Sequence, residues 1–223
     1  MRPYRGKRLI DIGLLIVVVV PATAVGILCA ISVRFTSRGP IFFRQTRVGM
    51  AGRPFDVVKF RTMYDLPDNP IMPAADRITP AGRWLRRLSL DEVPQLVNVA
   101  RGEMSIVGPR PTLPYQVERY TERQRGRLAV RPGITGLAQI SGRNSLRWAD
   151  RIELDLDYVM NQSLLLDLHI LARTVAVVVN GSGVEGHPED DELATQAPTS
   201  PAARSTGSTG TTDGGAPTTP GGD

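Results

Sequence analysis

Residues 12–33 read IGLLIVVVVPATAVGILCAISV, 22 positions with no charged side chain and a single proline, Pro21, near the middle. As one straight helix the stretch runs roughly 33 Å at 1.5 Å per residue, enough to cross the hydrocarbon core of a bilayer. Three readings compete for it. A signal peptide would take Arg5, Lys7 and Arg8 as its basic region and Ala22-Thr23-Ala24 as its cleavage site. Asp11 at the start of the apolar run, and the continuation of that run well past Ala24, oppose it. A spanning anchor and a re-entrant helix that returns to the same face both stay open. Arg5, Lys7 and Arg8 precede the segment while Arg34, Arg38, Arg44 and Arg47 follow it, which draws both ends toward the cytoplasm. Pro21 removes a backbone donor, frees the carbonyl of Val17 and divides the run into arms of about 13 Å and 18 Å, each suited to one leaflet. Spanning helices tolerate such prolines as well.

Outward from this segment, no second spanning run is expected. The apolar residues 164–179 are interrupted by Asp167, His169 and Arg173 at intervals that suit an amphipathic helix, so everything after Arg34 lies on one side of the membrane. With one cysteine, Cys29, and two histidines, His169 and His187, neither a disulfide framework nor a Cys/His zinc site can be assembled within the monomer. The formal charge of +5 hides an asymmetry: residues 187–223 hold six acids against Arg204 alone, which leaves +10 on residues 1–186. Such a body prefers polyanions, whether an anionic bilayer, a phosphorylated substrate or nucleic acid. Five Phe and two Trp in 223 residues are few for stacked-base recognition, and no nucleic-acid partner is expected. The tail 187–223, made of Pro, Gly, Ser, Thr and Ala, buries too little to offset its ordering entropy and is expected to be disordered. The organisation is therefore a membrane helix over 1–34, an interfacial domain over 35–186, and the tail.

Within the middle region, Ile41-Phe42-Phe43 and residues 55–60 flank a turn containing Gly49, Gly52 and Pro54 and predict a short hairpin. Thr79-Pro80 is an N-cap followed by the proline favoured at the first helical position, opening a helix through Trp84, Leu85 and Leu88. Arg83, Arg86 and Arg87 beside Trp84 suit either a helix at headgroup level or an ordinary solvated basic face. Residues 144–161 and 164–179 supply two further helices. The fold class is α+β, mostly helical, with irregular loops.

Candidate chemistry starts at Asp91-Glu92 in SLDEVPQLVNVARG, a helix that Gly102 ends. Pro94 belongs in the first turn, which makes Asp91 the expected N-cap and demotes a Ser89/Glu92 capping box. Acids are common at helix N-termini for structural reasons alone, but an ionised carboxylate there is also a competent nucleophile or magnesium ligand, with Arg86 upstream to receive an anion. In Val107-Gly108-Pro109-Arg110-Pro111 the flanking prolines hold one guanidinium in a set direction, a device for forking onto phosphate or a tight exposed turn. Arg131-Pro132-Gly133-Ile134-Thr135-Gly136 and Ser141-Gly142-Arg143-Asn144 repeat the pairing of Arg with Gly, where backbone donors can approach an oxyanion. Lys7 and Arg8 lie one turn before Asp11 and can neutralise it at the membrane boundary, or snorkel. The P-loop, G-x-G-x-x-G and H-E-x-x-H patterns are absent, so kinase, dinucleotide-binding and zincin readings lose support.

The ordered set KRLID, the proline-broken apolar run, KFRTM, LSLDEVPQL, GPRP, RPGITGLAQISGRN and LDLDYV resembles the bacterial sugar transferase family, the small monotopic polyprenyl-phosphate phosphoglycosyl transferases, over about residues 7–186. The resemblance implies a re-entrant N-terminal helix at the cytoplasmic face of the inner membrane. It implies transfer of a sugar 1-phosphate from a nucleotide diphosphate sugar, by family habit a uridine one, to polyprenyl phosphate, with Mg2+, starting an exopolysaccharide, capsule or glycoprotein glycan that downstream glycosyltransferases extend. Asp91 is similar to the family's nucleophile, forming a phosphosugar-aspartyl intermediate in a ping-pong reaction. Glu92 is implied to hold magnesium or to deprotonate the incoming polyprenyl phosphate. Arg86, Arg110 and Arg143 are candidate phosphate ligands, with Arg131 in the same theme. Lys7, Arg8 and Pro21 would position the polyprenyl-binding region, and Asp155 is a further candidate. Family members often carry a small polar residue before the proline, where this chain has Val20, so the break rests on Pro21 and Thr23. Larger relatives add spanning helices and a nucleotide-binding-like domain upstream, which this chain is expected to lack. A different class of function, a non-catalytic basic membrane adaptor for anionic lipid or nucleic acid, would also use the +10 body.

Overall fold

The structure, a computed structural model, describes residues 3–64, 77–142 and 146–180. Helix α1, Lys7–Thr36, takes in the whole apolar run and continues through Pro21 as a single 30-residue element. Pro21 lies inside this element, where it costs one backbone hydrogen bond while helical structure persists on both sides. The Thr23 hydroxyl donates to the carbonyl of Val19 at 2.7 Å. Among the described residues this is the one helix long and apolar enough to cross a membrane. Its two ends pack against the same body while its middle does not. Lys7 and Asp11 near the start and Cys29 and Val33 near the end are buried, whereas residues 16–21 are all exposed.

Strands β1, Phe42–Val48, and β2, Pro54–Phe60, form the expected antiparallel hairpin, in register from Phe42 opposite Phe60 to Val48 opposite Pro54. Ala51 and Gly52 at φ 57° and 75° make the turn. Helix α2, Pro80–Arg87, starts as its sequence predicts: Thr79 accepts from the Gly82 N–H at 2.9 Å, and Pro80 stands at the first helical position. Its Ala81 and Leu85 are buried with Cys29, Val33 and Phe60, while Arg83, Trp84 and Arg87 face outward.

The following segment departs from expectation. Ser89, not Asp91, occupies the N-cap, in a left-handed conformation at φ 55°, and residues Leu90–Gln95 form a 3₁₀ turn before helix α3, Leu96–Arg101. The Pro94 ring would clash with the Leu90 carbonyl in an α-helix, which favours the tighter winding until the proline is passed. Gly102 at φ 80° ends α3 as predicted.

A second sheet was not foreseen. Strand β3, Ser105–Val107, runs parallel to β4, Gly133–Thr135. This pairing explains the glycines of the two Arg-Gly loops. A Cβ on Gly133 would sit 2.1 Å from the Gly108 nitrogen, and one on Gly108 2.5 Å from the Arg131 carbonyl oxygen. The Gly108 N–H donates to the Thr135 carbonyl and the Gly133 N–H to the Pro109 carbonyl, each at 2.9 Å. These donors serve the sheet, not an oxyanion.

Short helices α4, Pro114–Glu118, α5, Glu122–Arg125, and α6, Leu137–Ser141, lead to α7, Trp148–Asn161, and α8, Leu164–Asn180. Residues 143–145 and the tail 187–223 lie outside the described residues. Tyr158, Val159 and Ile170 join α7 and α8 to Val107 and Val130 in one apolar cluster. Helix α8 reverses the expected faces: Asp167 is 2% exposed and Leu165 80%. The α+β, mostly helical class holds.

Candidate active site

A cleft of about 630 Å³ opens between the hairpin, the 3₁₀ turn, the loop after β3, and the β4, α6 and α8 elements. Arg47, Lys59, Arg61, Arg77, Arg86, Arg110 and Arg151 line it, with Asp91 and Glu92 the acids among its lining residues. Leu90 and Val93, which bracket these two acids, pack into the apolar cluster built on Cys29, Val33, Phe60, Ala81 and Leu85. Gly26 brings α1 close to the same place: a Cβ there would lie 3.9 Å from both Val93 and Phe60. The acid pair therefore rests on the apolar helix α1.

The two carboxylates differ sharply. Glu92 Oε1 accepts from Lys59 Nζ and from Arg110 Nη2, each at 2.9 Å. Burial works to raise its pKa, but Arg110 and Lys59 outweigh that and hold it well below the usual carboxylate range. Among the described residues no hydrogen bond or ion pair engages the Asp91 carboxylate. Burial and then the negative charge of Glu92 push it up to about 6, against the pull of Lys59, Arg110 and Arg86. Crowding of cations shows in Arg47, which burial and Arg110 lower to about 10. The cleft thus has a strongly cationic wall and, among the described residues, one acid without a partner, an arrangement chemically able to take a polyanion beside an available carboxylate.

Of the residues singled out from sequence, Arg86 and Arg110 share this cleft with Asp91 and Glu92. Four do not. Arg131 Nε donates to the Gly102 carbonyl at 2.8 Å. Arg8 donates to the carbonyls of Val99 at 2.7 Å and Ala100 at 3.1 Å, so both guanidiniums cap the C-terminus of α3. Lys7 is buried between Asp11 at 3.1 Å and Asp167 at 2.9 Å. Asp155 is buried in an ion pair with Arg127, whose Nη2 also donates to the Arg110 carbonyl at 2.9 Å. The last pair supports the GPRP loop from behind instead of touching the cleft. Arg143 lies outside the described residues.

Sequence reasoning missed Lys59, Arg47, Arg61, Arg77, Arg151 and Gln139 as cleft residues. A usable signal existed for three of them. Lys59 and Arg61 are two apart along one side of the hairpin, as are Gln45 and Arg47, and period two puts such pairs on one face.

Among the described residues no group of three or more His, Cys, Asp or Glu is placed to hold a metal ion. Asp91 and Glu92 alone make a two-carboxylate oxygen donor set, too sparse for a closed protein cage. It fits magnesium, which keeps several waters and completes its shell with substrate phosphate oxygens.

The family described as bacterial sugar transferase matches residues 3–181. The chain is 44% identical over 181 residues to the uncharacterized sugar transferase EpsL of Bacillus subtilis, covering 80% of this chain and 90% of that one. It is 40% identical over 204 residues to the exopolysaccharide production protein ExoY of Sinorhizobium fredii, covering 82% and 90%. To the UDP-glucose:undecaprenyl-phosphate glucose-1-phosphate transferase of Caulobacter vibrioides it is 41% identical over 181 residues, covering 76% and 68%. With a match across nearly all of the described residues, the chain belongs to the bacterial sugar transferase family.

Proposed function

We propose that the protein transfers a sugar 1-phosphate from a UDP-sugar to polyprenyl phosphate through a covalent adduct on Asp91. The observation that carries this reading is the unpaired Asp91 carboxylate among Lys59, Arg86 and Arg110, on a turn that rests on the apolar helix α1. One substrate is water-soluble and the other lipid-borne, and a nucleophile at that junction meets both. In the first half-reaction an Asp91 oxygen attacks the β-phosphorus and the bond to the bridging oxygen breaks. Uridine monophosphate leaves with that oxygen, and the sugar phosphate stays on Asp91 as a mixed anhydride. In the second, an oxygen of polyprenyl phosphate attacks the same phosphorus and returns Asp91 as a free carboxylate. The product is a polyprenyl diphosphate sugar, the substrate class that downstream glycosyltransferases of exopolysaccharide assembly extend.

Arg110 and Arg86 bind the diphosphate oxygens of the donor. Glu92 is held ionised far below neutral pH, which makes it a weak base. Its work in this scheme is to anchor Lys59 and Arg110 beside Asp91. Mg2+ held by Asp91 and Glu92 would supply charge neutralisation on the diphosphate.

Helix α1 would be re-entrant, with the catalytic body on the cytoplasmic face of the inner membrane. Support comes from its ends: Asp11 accepts from Ser105 Oγ at 2.9 Å, while Cys29 and Val33 pack against Phe60 and Leu85, so one body holds both. The deciding experiment is incubation of the purified protein with donor labelled in the sugar or β-phosphate, with magnesium, followed by denaturation. Label that stays on the protein and vanishes in Asp91→Asn supports the adduct. No labelling and no monophosphate release across a broad panel of nucleotide sugars would point to a non-catalytic lipid-binding adaptor.

A further inference from the structure

The part of the cleft built by β4, α6 and α8 has a chemistry of its own. Ile134, Thr135, Ala138, Gln139, Thr174 and Val178 line it, all uncharged, in a cavity whose charged lining residues come from other elements. Gln139 stands out among them because both ends of its amide, Nε2 and Oε1, are buried with no hydrogen-bond partner among the described residues. The neighbouring hydroxyls do not serve it. Thr174 Oγ1 donates to the Ile170 carbonyl at 2.7 Å, so the 2.7 Å contact between the two threonines takes the proton of Thr135. Buried polar side chains in native proteins are nearly always paired, and an amide orphaned at both ends on a cleft wall is a ligand contact awaiting its ligand.

Resting on the transfer reaction proposed above, we propose that Gln139 reads the imide edge of the donor's pyrimidine base. Nε2 donates to a ring carbonyl and Oε1 accepts the ring N3–H. A planar amide offers one donor and one acceptor side by side, which matches a planar imide with two parallel hydrogen bonds. Ile134, Ala138 and Val178 give the same region apolar surface suited to the ring face. Sugar hydroxyls, each both donor and acceptor, do not call for that fixed pairing. Gln139 is thereby a specificity-determining residue for the nucleotide and for the nucleoside monophosphate product.

The test compares uridine monophosphate with its N3-methyl analogue as inhibitors of adduct formation, in the wild-type protein and in Gln139→Leu and Gln139→Glu. The wild type should prefer the unmethylated nucleotide by about tenfold, the scale of one hydrogen bond in a dry site. Gln139→Leu, which loses both hydrogen bonds, should bind uridine monophosphate more than about tenfold more weakly and no longer distinguish the two. Gln139→Glu keeps an acceptor for N3–H, loses the donor and should fall between. Equal inhibition by both nucleotides in the wild type overturns the inference, and that comparison needs no variant to fold. So does a Gln139→Leu protein with unchanged inhibition by the monophosphate but altered selection among sugars, which would assign the amide to sugar hydroxyls. A wild type that labels on Asp91 yet shows no base discrimination sinks this inference alone. One that neither labels nor binds the monophosphate removes the transfer reaction beneath it as well.

Discussion

Two clusters of acids and bases lie within this small body, and they are built in opposite ways. Around Lys7 every charge is answered. The ammonium lies between Asp11 and Asp167, Asp11 also accepts from Ser105 and the Ile106 N–H, and Asp167 accepts from Tyr4 at 2.7 Å and Tyr158 at 2.8 Å. Around Asp91 the charges are equally dense but the balance is withheld. Glu92 takes both Lys59 and Arg110, and Asp91 is left beside it with a pKa near 6. A closed network holds elements together, here α1, β3 and α8, because breaking it strands a buried charge. An open one stores unfavourable electrostatics that a substrate can relieve, which is the condition for chemistry.

Asp91→Asn presses hardest on that contrast. Adduct formation and turnover should fall by on the order of 10⁴-fold or more, as for removal of a covalent nucleophile. Stability should move the other way. A raised carboxyl pKa means the native state holds its proton more tightly than the unfolded chain, so stability is lost as pH rises from about 4 through about 6. At pH 7.5 the asparagine variant should therefore melt above wild type by an amount on the order of 1 kcal/mol, and the gap should close as pH falls toward 4. A variant that keeps labelling, or melts lower at neutral pH, contradicts the description of this site. Lys7→Met is the mirror experiment. It leaves Asp11 and Asp167 facing each other inside the protein, so denaturant unfolding should show a loss of about 3–5 kcal/mol. Activity should decline only with the folded fraction; a stable Lys7→Met protein with impaired lipid-acceptor use would return Lys7 to the substrate.

The contrast also marks where sequence reading works. Elements governed by local chemistry were legible: the apolar run of α1, the Thr79-Pro80 helix start, the Gly102 stop and the hairpin between Phe42 and Phe60. The acid pair stood out as well, beside Arg86 and ahead of Pro94, although its helix N-cap placement did not hold: Ser89 takes that position and the pair sits on a 3₁₀ turn. What escaped depends on contacts across the chain. Asp167 in a period of 3.6 reads as part of a solvated face, and partners such as Lys7, 160 residues earlier, turn it inward. Strands β3 and β4 are three residues each, too short to show an alternation. Arg8 and Arg131 were expected on phosphate for a related reason: to a guanidinium, the carbonyl end of a helix and a phosphate are both partial anions, and residue type cannot separate them.

Glu92→Gln tests the open cluster at smaller scale. Removing that charge takes away a contribution that raises the Asp91 pKa and leaves Lys59 and Arg110 unopposed, both of which lower it. The acid limb of the pH profile for adduct formation, expected near pH 6 in wild type, should move to lower pH even as the rate drops. A limb that stays in place would mean that another group governs it.

Arg8→Gln carries the smallest expected effect and separates the two kinds of arginine. In the structure Arg8 makes two hydrogen bonds to carbonyls at the C-terminus of α3, Val99 at 2.7 Å and Ala100 at 3.1 Å. Losing a charged donor there should cost about 1–2 kcal/mol of stability, because the last-turn carbonyls lose a partner and the helix dipole loses a counter-charge. The carbonyls can turn to water, since the second contact is solvent-exposed, which keeps the loss small. Arg110→Gln, by contrast, removes a guanidinium from the cleft itself, frees Glu92 from one of its two cations and should raise the KM for the nucleotide sugar. If Arg8→Gln instead raised the KM for polyprenyl phosphate with no shift in melting temperature, Arg8 would belong to the acceptor site, and α3 would keep its register without that cap.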